Sequence, residues 1–250
     1  VWIYDIASAT LTRLTGGSAQ NDRPEWTPDS RRVLYRTDRG ARTAIWWQPA
    51  DLSAPAAPLL ADDHHYYEAV VTPDGRDIAY QVDDAGADQA DVMYRALQGD
   101  TTSHPIAASR FIEAQARVSP DGNWVAYVTD ASGTSQVVVQ PFPGPGGVVQ
   151  VSVGGGTEPV WSRDGHRLFY RDGRYVVAAT VSTTGAFAVT GRTNVVPDTY
   201  VFATAPHANY DVSPDGKRLL MIRGTATPEY EVVYGFGTEL RSRMRTKVGM

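Results

Sequence analysis

The stretch "RVSPDGNWVAYVT", residues 117–129, joins a tight-turn sequence to a strand pattern. Pro-Asp-Gly is typical of a β-turn, because proline presets φ and glycine accepts a positive φ. The residues after it, from Trp124 to Val128, follow the alternating apolar pattern of a strand. We therefore predict that one strand, A, ends at Ser119 and that a second strand, B, follows the turn.

The same pattern occurs at four other places along the chain. The related stretches are "EWTPDSRRVLYRT" (25–37), "VVTPDGRDIAYQV" (70–82), "VWSRDGHRLFYRD" (160–172) and "DVSPDGKRLLMIR" (211–223). Their Ser or Thr residues, here called anchors, are Thr27, Thr72, Ser119, Ser162 and Ser213, which lie 45, 47, 43 and 51 residues apart. A repeat of about 40–50 residues built from short strands is typical of a β-propeller.

Each repeat divides into four strands, A to D, so we predict an all-β propeller of four-stranded blades. Five repeats and a partial blade indicate six blades, one of them incomplete, and its open edges would permit a homodimer. A short helix is predicted near the C-terminus, where Leu240, Met244 and Val248 share one helical face. The predicted segments of this single domain are a partial blade (1–15), four blades (16–62, 63–109, 110–153 and 154–204), and a last blade with the helix (205–250).

The repeats resemble a known group of propellers. "WTPDSRRVLY", "VSPDGNWVAYVTD" and "WSRDGHRLFYRDG" are similar to the WD-repeat-like blades of TolB-type propellers. "QPFPGPGGVVQVSVGGGTEPVWSRDGHRLFYR", followed by "NYDVSPDGKRLLMI", resembles the C-terminal propeller of bacterial receptor-like serine/threonine kinases. This resemblance implies a sensing or binding role and an extracytoplasmic or periplasmic location. The chain opens at Val1 in a strand-like run, so we expect it to be a piece of a longer protein.

Composition and motifs argue against several other functions. A net charge of −5 argues against nucleic-acid binding, which needs a basic surface. There is no cysteine for disulfides or thiolate chemistry, and no apolar run is long enough for a membrane span. The protein-kinase motifs and the Gly-x-Ser-x-Gly elbow of serine hydrolases are both absent from the sequence. "GPGG" and "GGG" lack the strand-to-helix context and the lysine of a phosphate-binding loop.

Strand A of each blade should line a central channel, so equivalent positions should form rings. The position four residues before each anchor is polar in all five repeats: Arg23, Glu68, Gln115, Glu158 and Asn209. The position two residues before it is mixed: Glu25, Val70, Arg117, Val160 and Asp211. Loops at the same predicted face carry His64, His65 and His207.

Two hypotheses remain open for this polar ring. In the first, a non-catalytic binding or sensor propeller presents its loop-rich channel face to a protein, peptide or small ligand. Arg23, Gln115, His64, His65 and His207 would then contact the ligand. In the second, Glu68, Glu158 and Asn209 bind a divalent cation, calcium for oxygen ligands alone or zinc or manganese if histidine joins them. The protein would then be a metal-dependent hydrolase of lactones, esters or phosphoesters.

Overall fold

The structure, a computed structural model, describes residues 1–83, 90–201, 207–224 and 229–234. These residues form 21 β-strands in six antiparallel sheets. Among them there is no helix of the length and apolarity needed to cross a membrane. The chain divides into two compact units, Val1–Val118 and Ser119–Met250. The predicted C-terminal helix lies outside the described residues.

Unit 1 contains a two-stranded sheet and two complete four-stranded sheets. The two-stranded sheet pairs β1 (Trp2–Asp5) with β2 (Thr10–Arg13). The second sheet has the order β3 (Asn21–Trp26), β4 (Arg32–Thr37), β5 (Ala44–Pro49) and β6 (Ala57–Leu60). The third consists of β7 (His65–Val71), β8 (Asp77–Asp83), β9 (Asp91–Ala96) and β10 (His104–Ala107). Unit 1 ends with β11 (Glu113–Val118).

Unit 2 continues the same order of strands. Its first strands, which are neighbours in this order, are β12 (Trp124–Thr129), β13 (Gln136–Pro141) and β14 (Val149–Gln150). The next sheet has the order β15 (Thr157–Trp161), β16 (Arg167–Arg171), β17 (Tyr175–Ser182) and β18 (Ala188–Pro197). The last sheet has three strands, β19 (Tyr210–Val212), β20 (Arg218–Arg223) and β21 (Glu229–Tyr234).

The turn between strands A and B is built in the same way at every anchor. The anchor hydroxyl donates to the aspartate two residues later at 2.5–2.7 Å, and accepts from the backbone N–H five residues later. Asp74, Asp121 and Asp215 also accept a backbone N–H two residues further on. The residue after each of these aspartates is glycine in the left-handed region, with φ of 74°, 74° and 64° at Gly75, Gly122 and Gly216.

Apolar cores pack between neighbouring sheets inside each unit. In unit 1, Leu34 and Ile45 of one sheet pack with Tyr66 and Ile78 of the next. In unit 2 one cluster joins Val139 of β13 to Leu168 of β16, and a second joins Phe169 to residues of β19 and β20. Successive side chains of an inner strand are therefore both buried, because Leu168 packs in one cluster and Phe169 in the other. Packing of this kind on both faces of a sheet is how the blades of a propeller are held together.

Candidate functional site

The polar position four residues before the anchor coincides with a break in the strand A ladder. The register shifts between Asp22 and Glu25 in β3, between Tyr66 and Glu68 in β7, and between Thr157 and Val160 in β15. Such bulges redirect a side chain out of the normal alternation of the strand. At three of the five positions the backbone is left-handed, with φ of 51° at Arg23, 58° at Gln115 and 55° at Glu158.

These side chains are large and polar, yet they are buried. Arg23, Glu68, Gln115 and Glu158 are all buried. A left-handed conformation costs a non-glycine residue on the order of 1–3 kcal/mol, and such strain concentrates at functional sites. The recurrence of strain at one repeat position marks the beginning of strand A as a specialised part of each blade.

In unit 1 one arginine connects three successive A strands. Arg117 of β11 donates from Nη2 to Glu25 Oε1 of β3 at 2.7 Å and to Glu68 Oε1 of β7 at 2.5 Å. The Glu68 side chain is only 2% exposed, and that of Glu25 is 27% exposed. The guanidinium offsets the charge of both carboxylates, so a cation at this point would have to displace Arg117.

Arg23 lies close to this cluster and makes different contacts. Its Nη1 donates to the Tyr67 carbonyl at 3.0 Å, and its Cζ lies 5.8 Å from the centroid of the Tyr67 ring. Burial lowers the pKa of the Arg23 guanidinium, and the neighbouring Arg36 lowers it further, while Glu68 and Asp22 act in the opposite direction. Arg36 itself is neutralised by two bonds to Asp22, at 2.7 and 2.6 Å.

The loops at the beginning of β3 enclose an open cleft. They are connected by hydrogen bonds from the Gln20 backbone N–H to Asp38 Oδ1 at 2.7 Å and from Gln20 Nε2 to Asp22 Oδ2 at 3.0 Å. Arg39 stacks on Trp46, with its Cζ 4.8 Å from the ring centroid. The cleft has a volume of about 650 Å³ and is lined by Gly16, Gly17, Ser18, Ala19, Asp38 and Arg39.

The two histidines predicted in unit 1 occupy the loop before β7 and its first residue. His64 is exposed, and its Nδ1 lies 2.7 Å from Asp62 Oδ1. His65 is half-buried, and its Nδ1 lies 3.3 Å from Thr43 Oγ1. His65 therefore begins the strand that contains Glu68.

In unit 2 the predicted ligand Glu158 belongs to a buried ionic cluster. Arg171 of β16 lies 3.4 Å from Glu158 and binds Asp198 through two bonds at 2.9 and 2.5 Å. It also donates to the carbonyl oxygens of Val201, at 2.7 Å, and Tyr200, at 3.2 Å. Burial raises the pKa of the Glu158 carboxyl and outweighs the Asn209 N–H and Arg171, which both lower that pKa.

Asn209 meets Glu158 through its main chain. Its backbone N–H donates to Glu158 Oε2 at 2.8 Å, and the Tyr210 hydroxyl donates to the Glu158 carbonyl oxygen at 2.8 Å. His207 is half-buried and lies two residues before Asn209. The structure therefore brings together two of the three predicted metal ligands, Glu158 and Asn209, with an arginine beside them.

The sequence reasoning missed the arginines that partner these carboxylates. Their positions contain a usable signal, because Arg36 and Arg171 both lie nine residues after an anchor. This position of strand B pairs with the start of strand A, as shown by Asp22 opposite Arg36 and Thr157 opposite Arg171. Glu25 and Arg117 also provide a signal in the sequence. Both lie two residues before their anchors, so they have opposite charges at equivalent positions of strand A.

Known proteins resemble this chain in structure rather than in sequence. No family profile matches the sequence, and no curated protein matches it by sequence. By structure, TolB from Acinetobacter baumannii matches with a TM-score of 0.75 and 18% identity, over 94% of this chain and 57% of that chain. The fold is that of a TolB-like β-propeller. This chain therefore spans little more than half the length of that TolB.

Two further TolB-like propellers show the range of proteins that share the fold. A TolB from Agrobacterium tumefaciens matches with a TM-score of 0.69 and 15% identity, over 94% of this chain and 84% of that one. An oligogalacturonate lyase solved with manganese matches with a TM-score of 0.63 and 15% identity, over 95% of this chain and 68% of that one. Because proteins with this fold include enzymes, the fold does not identify the function of this chain. The function has to be inferred from the chain's own residues.

Proposed function

We propose that this chain is a non-catalytic binding propeller that presents the strand A starts and adjacent loops to a protein, peptide or small ligand. The observation that carries the proposal is that arginines bind the carboxylates of the A strands. Glu68 and Glu25 are held by Arg117, and Glu158 lies against Arg171. Buried ion pairs of this kind already offset the charge that would otherwise recruit a metal.

The geometry of the loops supports binding in unit 1. The cleft beside β3 is open, and its walls are fixed by hydrogen bonds of Gln20 and by the stacking of Arg39 on Trp46. A largely pre-formed concave surface with a few placed polar groups is what ligand sites require. A location outside the cytoplasm belongs to this proposal and rests on the resemblance to receptor-like kinases.

A displayed library of random peptides provides a direct test. We expect purified protein to select a peptide consensus whose affinity falls about tenfold in Arg39→Ala, the equivalent of roughly 1.4 kcal/mol. The matched control is Arg31→Ala, because Arg31 is exposed at the opposite end of the same hairpin, and this variant should bind normally. Selection of no consensus, or equal loss in both variants, would contradict the proposal.

The alternative function, a metal-dependent hydrolase, is favoured by one observation. Glu25 and Glu68 converge on a single nitrogen of Arg117, so these oxygens allow a divalent cation if the arginine moves away. Assays with a nitrophenyl ester, a nitrophenyl phosphodiester and a lactone, with manganese or calcium and with chelator, separate the two functions. We expect no metal-dependent turnover, whereas turnover that Glu68→Gln abolishes would establish the hydrolase.

A further inference from the structure

Two arginines in the described part of the chain are more than nine-tenths buried, and their surroundings differ. Arg171 donates to Asp198 and to two carbonyl oxygens and lies against Glu158. Arg23 is 8% exposed and makes a single hydrogen bond within the described part, to the Tyr67 carbonyl. A guanidinium has five N–H donors, so most of the donors of Arg23 have no protein acceptor there.

The protein holds Arg23 in place at a cost. Its φ of 51° is left-handed, and it lies within the register shift of β3. The guanidinium is fixed against the neighbouring sheet by the Tyr67 carbonyl and ring. A strained backbone and a buried charge together are unfavourable for stability alone, which points to a use in binding.

The N–H groups of a guanidinium that have no protein acceptor bind best to two oxygens that lie in the plane of the group. A carboxylate matches this fork through two parallel hydrogen bonds, and the interaction is strong because both groups are charged. Asp22 and Glu68 lie near enough to affect the ionisation of Arg23. Their negative charges would disfavour a dianionic phosphate more than a monoanionic carboxylate.

We propose that Arg23 is the anchor of a carboxylate-binding site, with the Tyr67 ring as one wall. The ligand carboxylate occupies the N–H groups of Arg23 that face away from the Tyr67 carbonyl. This inference rests on the proposed binding function and specifies the chemistry that the site recognises. The carboxylate could belong to the C-terminus of a peptide, to an acidic side chain or to a small organic acid.

The first test uses 4-fluorobenzoate as the probe and 4-fluorobenzamide as its neutral analogue. Binding of both is observed by fluorine NMR. We expect the wild-type protein to bind the acid and to bind the amide at least about tenfold more weakly, since a charged hydrogen-bonded pair is lost. This comparison needs no variant. Equal binding of acid and amide would overturn the proposal.

Variants then locate the site. Arg23→Gln and Arg23→Lys should each weaken binding of the acid about tenfold or more, because neither retains the planar fork. Arg31→Gln, which replaces an exposed arginine in the turn after β3, should leave binding unchanged. If Arg23→Gln does not fold, Arg23→Lys retains the charge and carries the test. Unchanged binding in a folded Arg23 variant would also overturn the proposal.

Peptides separate the sources of the carboxylate and separate this inference from the function on which it rests. A selected peptide is compared with its C-terminal amide and with a version in which Asp and Glu become Asn and Gln. Loss of binding in one of the two identifies the source of the carboxylate. Tight binding of both neutral versions would leave the binding function intact and refute the role of Arg23, whereas no selected peptide at all would refute the binding function.

Discussion

Gly122 lies in the A-to-B turn of the third repeat, where the backbone adopts a left-handed φ of 74°. A Cβ added there would meet nothing within 4 Å, so any cost of a side chain comes from the backbone conformation. We expect Gly122→Val to lower the free energy of unfolding by about 1–3 kcal/mol. Urea denaturation measures this change.

The matched control for Gly122 is Gly147→Val. A Cβ added at Gly147 would also meet nothing within 4 Å, but the φ of this residue is not left-handed. We expect this variant to unfold at nearly the wild-type urea concentration. Equal midpoints for the two variants would show that the turn tolerates a β-branched residue and would contradict the assigned turn geometry.

The ionisation of Glu158 should make the stability of the protein depend on pH. Burial raises its pKa above the ordinary value of 4.5, so the native state binds a proton more tightly than the unfolded chain does. Its contribution to stability is therefore complete below pH 4.5 and is lost as pH rises through the raised native pKa. The loss amounts to about 1.4 kcal/mol for each unit by which the native pKa exceeds the unfolded value.

Replacement of the carboxyl should remove this pH dependence. In Glu158→Gln the free energy of unfolding, measured by urea denaturation across this pH range, should fall less steeply with rising pH than in the wild type. Asp211→Asn, which alters an exposed carboxylate of β19, should keep the wild-type slope. A Glu158→Gln profile parallel to that of the wild type would mean that Arg171 keeps Glu158 fully ionised.

At the scale of the elements, the contacts of Arg117 join β3, β7 and β11. Arg117→Met removes the cation beside Glu68, a carboxylate with a 2% exposed side chain, and should cost about 3–5 kcal/mol. Glu25→Gln changes a more exposed partner and should cost less than about 1 kcal/mol. Urea denaturation of both variants provides the comparison.

A double variant distinguishes charge from packing at this contact. Combining Arg117→Met with Glu68→Gln removes both charges, so much of the stability lost in Arg117→Met should return. If the two losses simply add, the contribution of Arg117 lies in the packing of its aliphatic stem rather than in its bonds to the carboxylates.

At the scale of the whole molecule, arginines supply the cations of the ionic clusters. We therefore expect metal removal to have little effect on thermal stability. Dialysis against chelator should shift the thermal midpoint by less than about 1 °C. A metal present at one hundred times its dissociation constant would stabilise the fold by about 2.7 kcal/mol, and its removal would lower the midpoint by several degrees. A shift of that size, reversed by manganese or calcium, would favour the hydrolase.

The fold could be predicted from the sequence because its signals are local. Ser119, Asp121 and Gly122 form one turn within a few residues, and the same turn recurs at every anchor. The pairing of Glu68 with Arg117 depends on contacts 49 residues apart in sequence. The bulges add a second obstacle, because the left-handed φ of Arg23 redirects its side chain in a way that strand alternation does not indicate.

The anchor turns also bear on how the chain folds. Every hydrogen bond of the turn at Ser119 falls within five residues, including the one from the Trp124 N–H to the anchor hydroxyl. Loops of this length close in about 10–100 ns, long before distant strands can meet. Because each repeat has its own turn, hairpins can nucleate independently along the chain, as in other repeat proteins. A nascent polypeptide can thus organise its first hairpin while the ribosome is still translating the later ones.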